Sequence, residues 1–197
     1  MSIKALIFDF DGTILDTETP EFESWQAVYA DFGCELPLAQ WVNTIGRGQD
    51  QITFDPYAYL QTCTGKIIDR DTVRVRRRSI FAELLAKQPL RAGIREYIQE
   101  ARETGLRMAI ASSSDRAWIE GHLTRFDLLP FFDVVVSADD VARTKPDPEL
   151  YQKAAASLDL LPSELIAFED SPNGALAAKA AGIFCIVVPN PMTKHLL

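Results

Sequence analysis

Five short apolar runs constrain this chain more than any other feature: Ile3 to Phe10, Leu106 to Ala111, Phe132 to Val136, Leu165 to Phe168 and Ile183 to Val188. They are continuous rather than alternating, the pattern of strands covered on both faces. Helical periodicity separates the later runs. One pattern covers Ile94 to Thr104 and stops at Gly105, and a second starts at Asp115 with Ile119, Leu123 and Phe126 on one side. A third covers Pro148 to Leu158, and a fourth begins at Pro172 and ends at Gly182. Proline at the first helical position and glycine just past the end follow the usual asymmetry of helix ends. The alternation predicts an α/β fold with a doubly wound parallel sheet.

The first connection breaks this rhythm. From the end of the first run to Leu106 there are roughly 95 residues, where a crossover with its helix needs only a few dozen. The excess has a helical pattern of its own. Phe22, Trp25, Val28 and Phe32 form one stripe closed by Gly33, and Leu38, Trp41 and Ile45 a second. Asp55-Pro56 opens a third helix, and Val73, Ile80, Phe81, Leu84 and Leu85 mark a fourth. The chain is therefore expected to divide into an α/β core, residues 1–16 and 88–197, and an inserted all-helical cap, residues 17–87. The cap is entered near Glu18-Thr19-Pro20 and left through Gln88-Pro89-Leu90.

Composition narrows the function. A net charge of −8 argues against a nucleic-acid or membrane-surface binder, which needs basic faces to neutralise phosphates. Cys34, Cys63 and Cys185 are widely spaced, odd in number and free of CxxC pairing, which suits reduced thiols in a cytoplasm. Met1 to Lys4 leads directly into a strand-like segment with no secretory pattern, and no apolar run approaches the span of a bilayer. Cytoplasmic localisation is expected, with a small molecule as partner, no nucleic acid and no membrane. A monomer is the expected state, an oligomer being left open. With only His122 and His195, chemistry resting on a histidine base or cluster is disfavoured.

The polar residues gather at the strand ends, where ligands bind in a doubly wound sheet. The first run ends on Asp9 and Asp11, two carboxylates at i and i+2 that would face one small volume and repel unless a cation or a proton intervenes. Ser112-Ser113-Ser114-Asp115 follows the second run, Lys145-Pro146-Asp147-Pro148 the third, and Glu169-Asp170-Ser171-Pro172 the fourth. Singly, each has a bland explanation: a turn at Asp11-Gly12, helix caps at Asp115 and Ser171, a surface lysine at Lys145. Jointly, four strand ends supply acids, hydroxyls and one cation in a single layer.

With these motifs the chain resembles the haloacid dehalogenase-like (HAD) hydrolase superfamily, in the helical-cap group that includes β-phosphoglucomutase and small-molecule phosphatases. DFDGT, ASSSD, TKPDPELY and FEDSPNG match its four motifs in order and span essentially the whole chain. The resemblance implies a Rossmann-like core and a phosphatase of small phosphorylated metabolites, such as sugar phosphates. It makes Asp9 the nucleophile that forms an aspartyl-phosphate, and Asp11 the group that protonates the leaving oxygen and later activates water. It implies that Ser112 and Lys145 hold the phosphoryl group, with Gly12 and Ser113 beside them. Mg2+ would be the cofactor, bound by Asp9, Asp11 through its main-chain carbonyl, Glu169 and Asp170.

Elementary chemistry supports the same roles. A carboxylate attacking a phosphate is one anion approaching another, so cations must surround the transferring oxygens. In the cap, Arg47 aligns with a family loop that reaches the cleft and is a candidate for the far end of the substrate. Mutases of the group carry a histidine where this chain has Glu21, which weakens the alternative of a sugar-phosphate mutase. A phospho-receiver signalling domain is a weaker alternative, since it would be shorter, lack the cap and carry its aspartate on the third strand. Arg74, Arg77 and Arg78 share a helix face expected to be solvated, Trp25 and Trp41 are expected in the cap core, and His122 is expected to be partly packed.

Overall fold

The computed structural model describes residues 2–42 and 54–196. Five strands, β1 (Ala5–Phe8), β2 (Arg107–Ala111), β3 (Val134–Val136), β4 (Leu165–Glu169) and β5 (Phe184–Val187), form one parallel sheet in the order β3-β2-β1-β4-β5. The helices are α1 (Glu18–Asp31), α2 (Leu38–Trp41), α3 (Pro56–Thr64), α4 (Arg70–Lys87), α5 (Ile94–Glu103), α6 (Arg116–Arg125), α7 (Glu149–Leu158) and α8 (Pro172–Ala180). Strand order runs outward in both directions from β1, so the crevice of this sheet opens at the carboxyl ends of β1 and its neighbours.

Side-chain alternation divides the core. Ala5, Ile7, Ala109, Ala111 and Ala167 face α7 and α8, where small strand residues let Leu150, Tyr151 and Leu158 approach the sheet. Leu6, Phe8, Met108, Ile110 and Phe168 face the other way, with Ile98 of α5 and Ile119 and Leu123 of α6. Each large side chain buried this way contributes about 1.5–3 kcal/mol relative to exposure. Helices α1 to α4 lie between β1 and β2 in the chain and share a separate cluster built on Phe22, Trp25, Tyr29, Trp41, Leu60 and Val73. Trp25 and Trp41 are thus core residues there. The Asp55 side chain accepts from the amides of Tyr57 and Ala58 and Pro56 takes the first helical turn, as the Asp55-Pro56 pair predicts.

Several strands are shorter than their apolar runs. β1 stops at Phe8 because the chain turns: the Asp9 amide still bonds the Phe168 carbonyl at 2.9 Å, but the amide of Ile14 closes back on Phe10. β3 starts at Val134, since Phe132 closes the turn Leu129–Phe131. Phe10, fully buried, belongs to the cluster under the crevice. Among the described residues no helix is long and apolar enough to cross a membrane.

Candidate active site

The ends of β1 and β4 bring Asp9, Glu169 and Asp170 together, with one carboxylate oxygen from each lying within 4.8 Å of the others. All three are buried. Lys145, on the long connection after β3, reaches across the sheet and bridges two of them, with Nζ 2.5 Å from Asp9 Oδ1 and 2.6 Å from Glu169 Oε1. The Lys145–Pro146 peptide is cis. Tyr151 of α7 donates its hydroxyl to the same Glu169 oxygen at 2.6 Å, and its ring lies 5.4 Å from Lys145 Nζ.

Three carboxylates against one ammonium leave a buried excess of negative charge. Burial first, and then the neighbouring acids, raise the Asp9 carboxyl well above the usual range despite the opposing pull of Lys145. Burial and Glu169 push Asp170 up to about 7. Burial works against the charged form of Lys145, yet Asp9 and Glu169 raise its pKa overall. Such a cluster has the hard oxygen donors and the unbalanced charge that suit a divalent cation of the Mg2+ type.

Asp11 stands apart from that cluster. Its Oδ2 accepts from Ser114 Oγ at 2.6 Å, with Ser112 Oγ at 3.5 Å, and its Oδ1 accepts from Trp118 Nε1 at 3.0 Å. The two aspartates that the sequence sets side by side are thus held by different partners, Lys145 for one and hydroxyl and indole donors for the other. Ser112 is buried, and its Oγ also accepts from the Ser114 amide. Ser113 is exposed and lines a cleft of about 500 Å³ with Asp11, Glu18, Glu21, Phe81 and Trp118. Burial, followed by Asp170 and Asp11, lifts Glu18 at this cleft to about 8.

Gly12 has φ +78°, and a Cβ there would run into the Asp170 carboxylate. Its amide is taken by the Leu15 carbonyl at 2.7 Å, while its carbonyl accepts from Arg91 at 2.6 Å and Asn190 at 3.4 Å. Arg47 lies outside the described residues. Of the arginines on α4, Arg74 pairs with Asp71, whereas Arg77 turns inward to Glu21 and passes over the rings of Trp25 and Phe81. His122 stacks on Phe10 and meets Trp118 edge to face, and burial, then Arg125, lowers its pKa. It is a packed histidine, as expected.

Sequence reasoning did not single out Trp118, Tyr151, Asn190 or Arg91. Tyr151 lies within TKPDPELY, where a buried phenol at a core position needs a hydrogen-bond partner. Asn190 stands between two prolines, a turn signal; its Nδ2 donates to Asp170 Oδ2 at 2.8 Å while its Oδ1 accepts from the amides of Met192 and Thr193.

Comparison with known proteins identifies the family. The family model described as haloacid dehalogenase-like hydrolase matches residues 6–188. Protein YhcW of Bacillus subtilis (strain 168) is 45% identical over 195 residues, covering 99% of this chain and 87% of its own. Hexitol phosphatase B of Escherichia coli (strain K12) is 35% identical over 194 residues, covering 98% and 86%. Among solved structures, a HAD family hydrolase from Deinococcus radiodurans with bound phosphate and sodium superposes with a TM-score of 0.80 at 27% identity, covering 96% and 82%. The chain therefore belongs to the haloacid dehalogenase-like hydrolase family and is a hydrolase.

Proposed function

We propose that this chain is a Mg2+-dependent phosphatase that hydrolyses the phosphate monoester of a small metabolite, a sugar or polyol phosphate, through an aspartyl-phosphate on Asp9. The observation that carries the reading is the Lys145 bridge between Asp9 and Glu169, set beside Ser112 and Asp11 at the carboxyl end of β1. Asp9 Oδ attacks phosphorus and the P–O bond to the leaving oxygen breaks. Asp11 gives that oxygen a proton. Lys145 and Ser112 hold the transferring oxygens, and Gly12 and Ser113 shape the loops around them. Water then attacks the phosphorus as Asp11 takes its proton, so inorganic phosphate leaves and both aspartates return to their starting states. The carboxylates of Asp9, Glu169 and Asp170, with the main-chain carbonyl of Asp11, would hold Mg2+, which supplies charge neutralisation for one anion approaching another.

Residues 17–87 act in this reading as a cap that selects the substrate, and Arg47 as a contact for its far end. The name of hexitol phosphatase B and the cleft's mixture of hydroxyls, carboxyls and aromatic faces support a neutral, hydroxylated leaving group. The Glu21–Arg77 ion pair, where mutases carry histidine, favours water over a second sugar as phosphoryl acceptor. The thiols of Cys34, Cys63 and Cys185, all free, suit a cytoplasmic enzyme. Incubation with p-nitrophenyl phosphate tests the reading: phosphate release should require Mg2+ and vanish in Asp9→Asn. Release that survives chelation or that substitution would overturn it.

A further inference from the structure

We infer that Trp118 is a positioning residue for Asp11, assigning the mobile proton of the acid/base to Oδ2 and tying that carboxyl to cap helix α4. The inference rests on the reading of Asp11 as the acid and base of phosphoryl transfer.

Local sequence puts Trp118 in place. Asp115 caps α6 by accepting from the Trp118 amide at 2.8 Å, which fixes Trp118 in the first turn of the helix that starts at the site. From there the indole Nε1 reaches Asp11 Oδ1 at 3.0 Å. Behind it the indole meets His122 edge to face, with centroids 4.5 Å apart, and His122 stacks on the buried Phe10. In front it stacks on Phe81 of α4, centroids 6.1 Å apart and planes within 12°. Phe81 lies under the Arg77 guanidinium that pairs with Glu21 of α1. One continuous set of contacts thus runs from two cap helices to the Asp11 carboxyl.

The two donors on Asp11 are chemically unequal. An indole N–H donates and cannot accept, so the oxygen it holds stays an acceptor in every protonation state. A serine hydroxyl both donates and accepts, so Ser114 Oγ, at 2.6 Å, suits Oδ2 with or without a proton. Oδ1 is therefore the carbonyl-like oxygen of the protonated acid, and Oδ2 carries the proton. Oδ2 exchanges Ser114 for the leaving oxygen, and later for water, while Oδ1 remains on Trp118. Without the indole N–H either oxygen could carry the proton, and the carboxyl could turn away from the bond being broken.

Trp118→Phe tests this, because it keeps an aromatic ring facing Phe81 and removes the donor. Protonation matters most for a poor leaving group, so kcat/KM is compared on an alkyl phosphate and on p-nitrophenyl phosphate, whose leaving group departs with little help. Trp118→Phe should lower kcat/KM on the alkyl ester by about tenfold and on the nitrophenyl ester far less, the scale of one lost hydrogen bond to a charged group. Phe81→Leu should shift the two substrates in the same unequal way, to a smaller extent. Equal losses on both esters, or no loss, would overturn the inference. Asp11→Asn on the same pair separates the two levels: a selective loss there with an even one in Trp118→Phe defeats the role of Trp118 alone, whereas an even loss in Asp11→Asn defeats the acid/base reading and the inference with it.

Discussion

Asn190 donates its side-chain amide to Asp170 Oδ2 across 2.8 Å, both residues being almost fully buried. The same side chain accepts two main-chain amides, from Met192 and Thr193, so its orientation is fixed from the far side. Outer partners of this kind orient the groups that bind a metal, and their loss typically costs about 10–100-fold in affinity. Asn190→Ala should therefore raise the Mg2+ concentration needed for half-maximal phosphatase activity by about that factor, with the rate at saturating metal largely kept. An unchanged Mg2+ requirement would remove Asn190 from the site.

Gly174 offers a test of the opposite sign to ordinary expectation. Glycine within a helix costs about 0.5–1 kcal/mol relative to alanine, so Gly→Ala in an open helix stabilises. In α8, however, a Cβ at Gly174 would run into the Glu169 carboxylate, which Lys145 and Tyr151 hold in place. Gly174→Ala should destabilise the protein by about 1–3 kcal/mol, the range for overpacking, and lower activity with it. A rise in thermal midpoint with full activity would show that Glu169 is free to move.

Stability should depend on pH in a direction set by the buried acids. Asp170 is raised to about 7 and Glu18 to about 8, burial being the first cause for each, so the folded metal-free chain holds protons that the unfolded chain releases. Stability then falls as pH rises between the unfolded and folded pKa values, roughly from pH 5 to pH 8. Mg2+ should reverse the part due to Asp170, since a bound cation replaces the proton. Thermal midpoints across that window, with chelator and with Mg2+, measure both effects. A midpoint that climbs with pH in chelator would contradict the charge balance described for the cluster.

The parts of the site legible in the sequence are those that a strand end presents. Asp9, Lys145, Glu169 and Asp170 each follow an apolar run within a recognisable motif, and the parallel order of β1 to β4 brings them to one edge. Trp118 and Asn190 were not legible, because their roles depend on which atoms they face across the fold: residue spacing places Trp118 on a helix and Asn190 in a turn, but shows neither carboxylate. Strand limits are less legible where a turn competes with the sheet. Phe10 is apolar enough to extend β1, yet its carbonyl is taken by Ile14 as the chain turns through Gly12. The helical insertion was visible from stripes such as Phe22, Trp25 and Val28, whereas the inward turn of Arg77 was not, because neighbouring arginines on one face look alike until Glu21 is placed opposite one of them.

In the proposed reaction the phosphoryl group passes through Asp9. The most direct measurement is acid quenching during turnover of a sugar phosphate with Mg2+, followed by mass spectrometry of the peptide that carries Asp9. The expected result is a single phosphoryl group on Asp9, absent from the Asp9→Asn protein, which also fails to release phosphate. An unmodified Asp9 peptide together with phosphate release from Asp9→Asn would show that Asp9 is not the nucleophile.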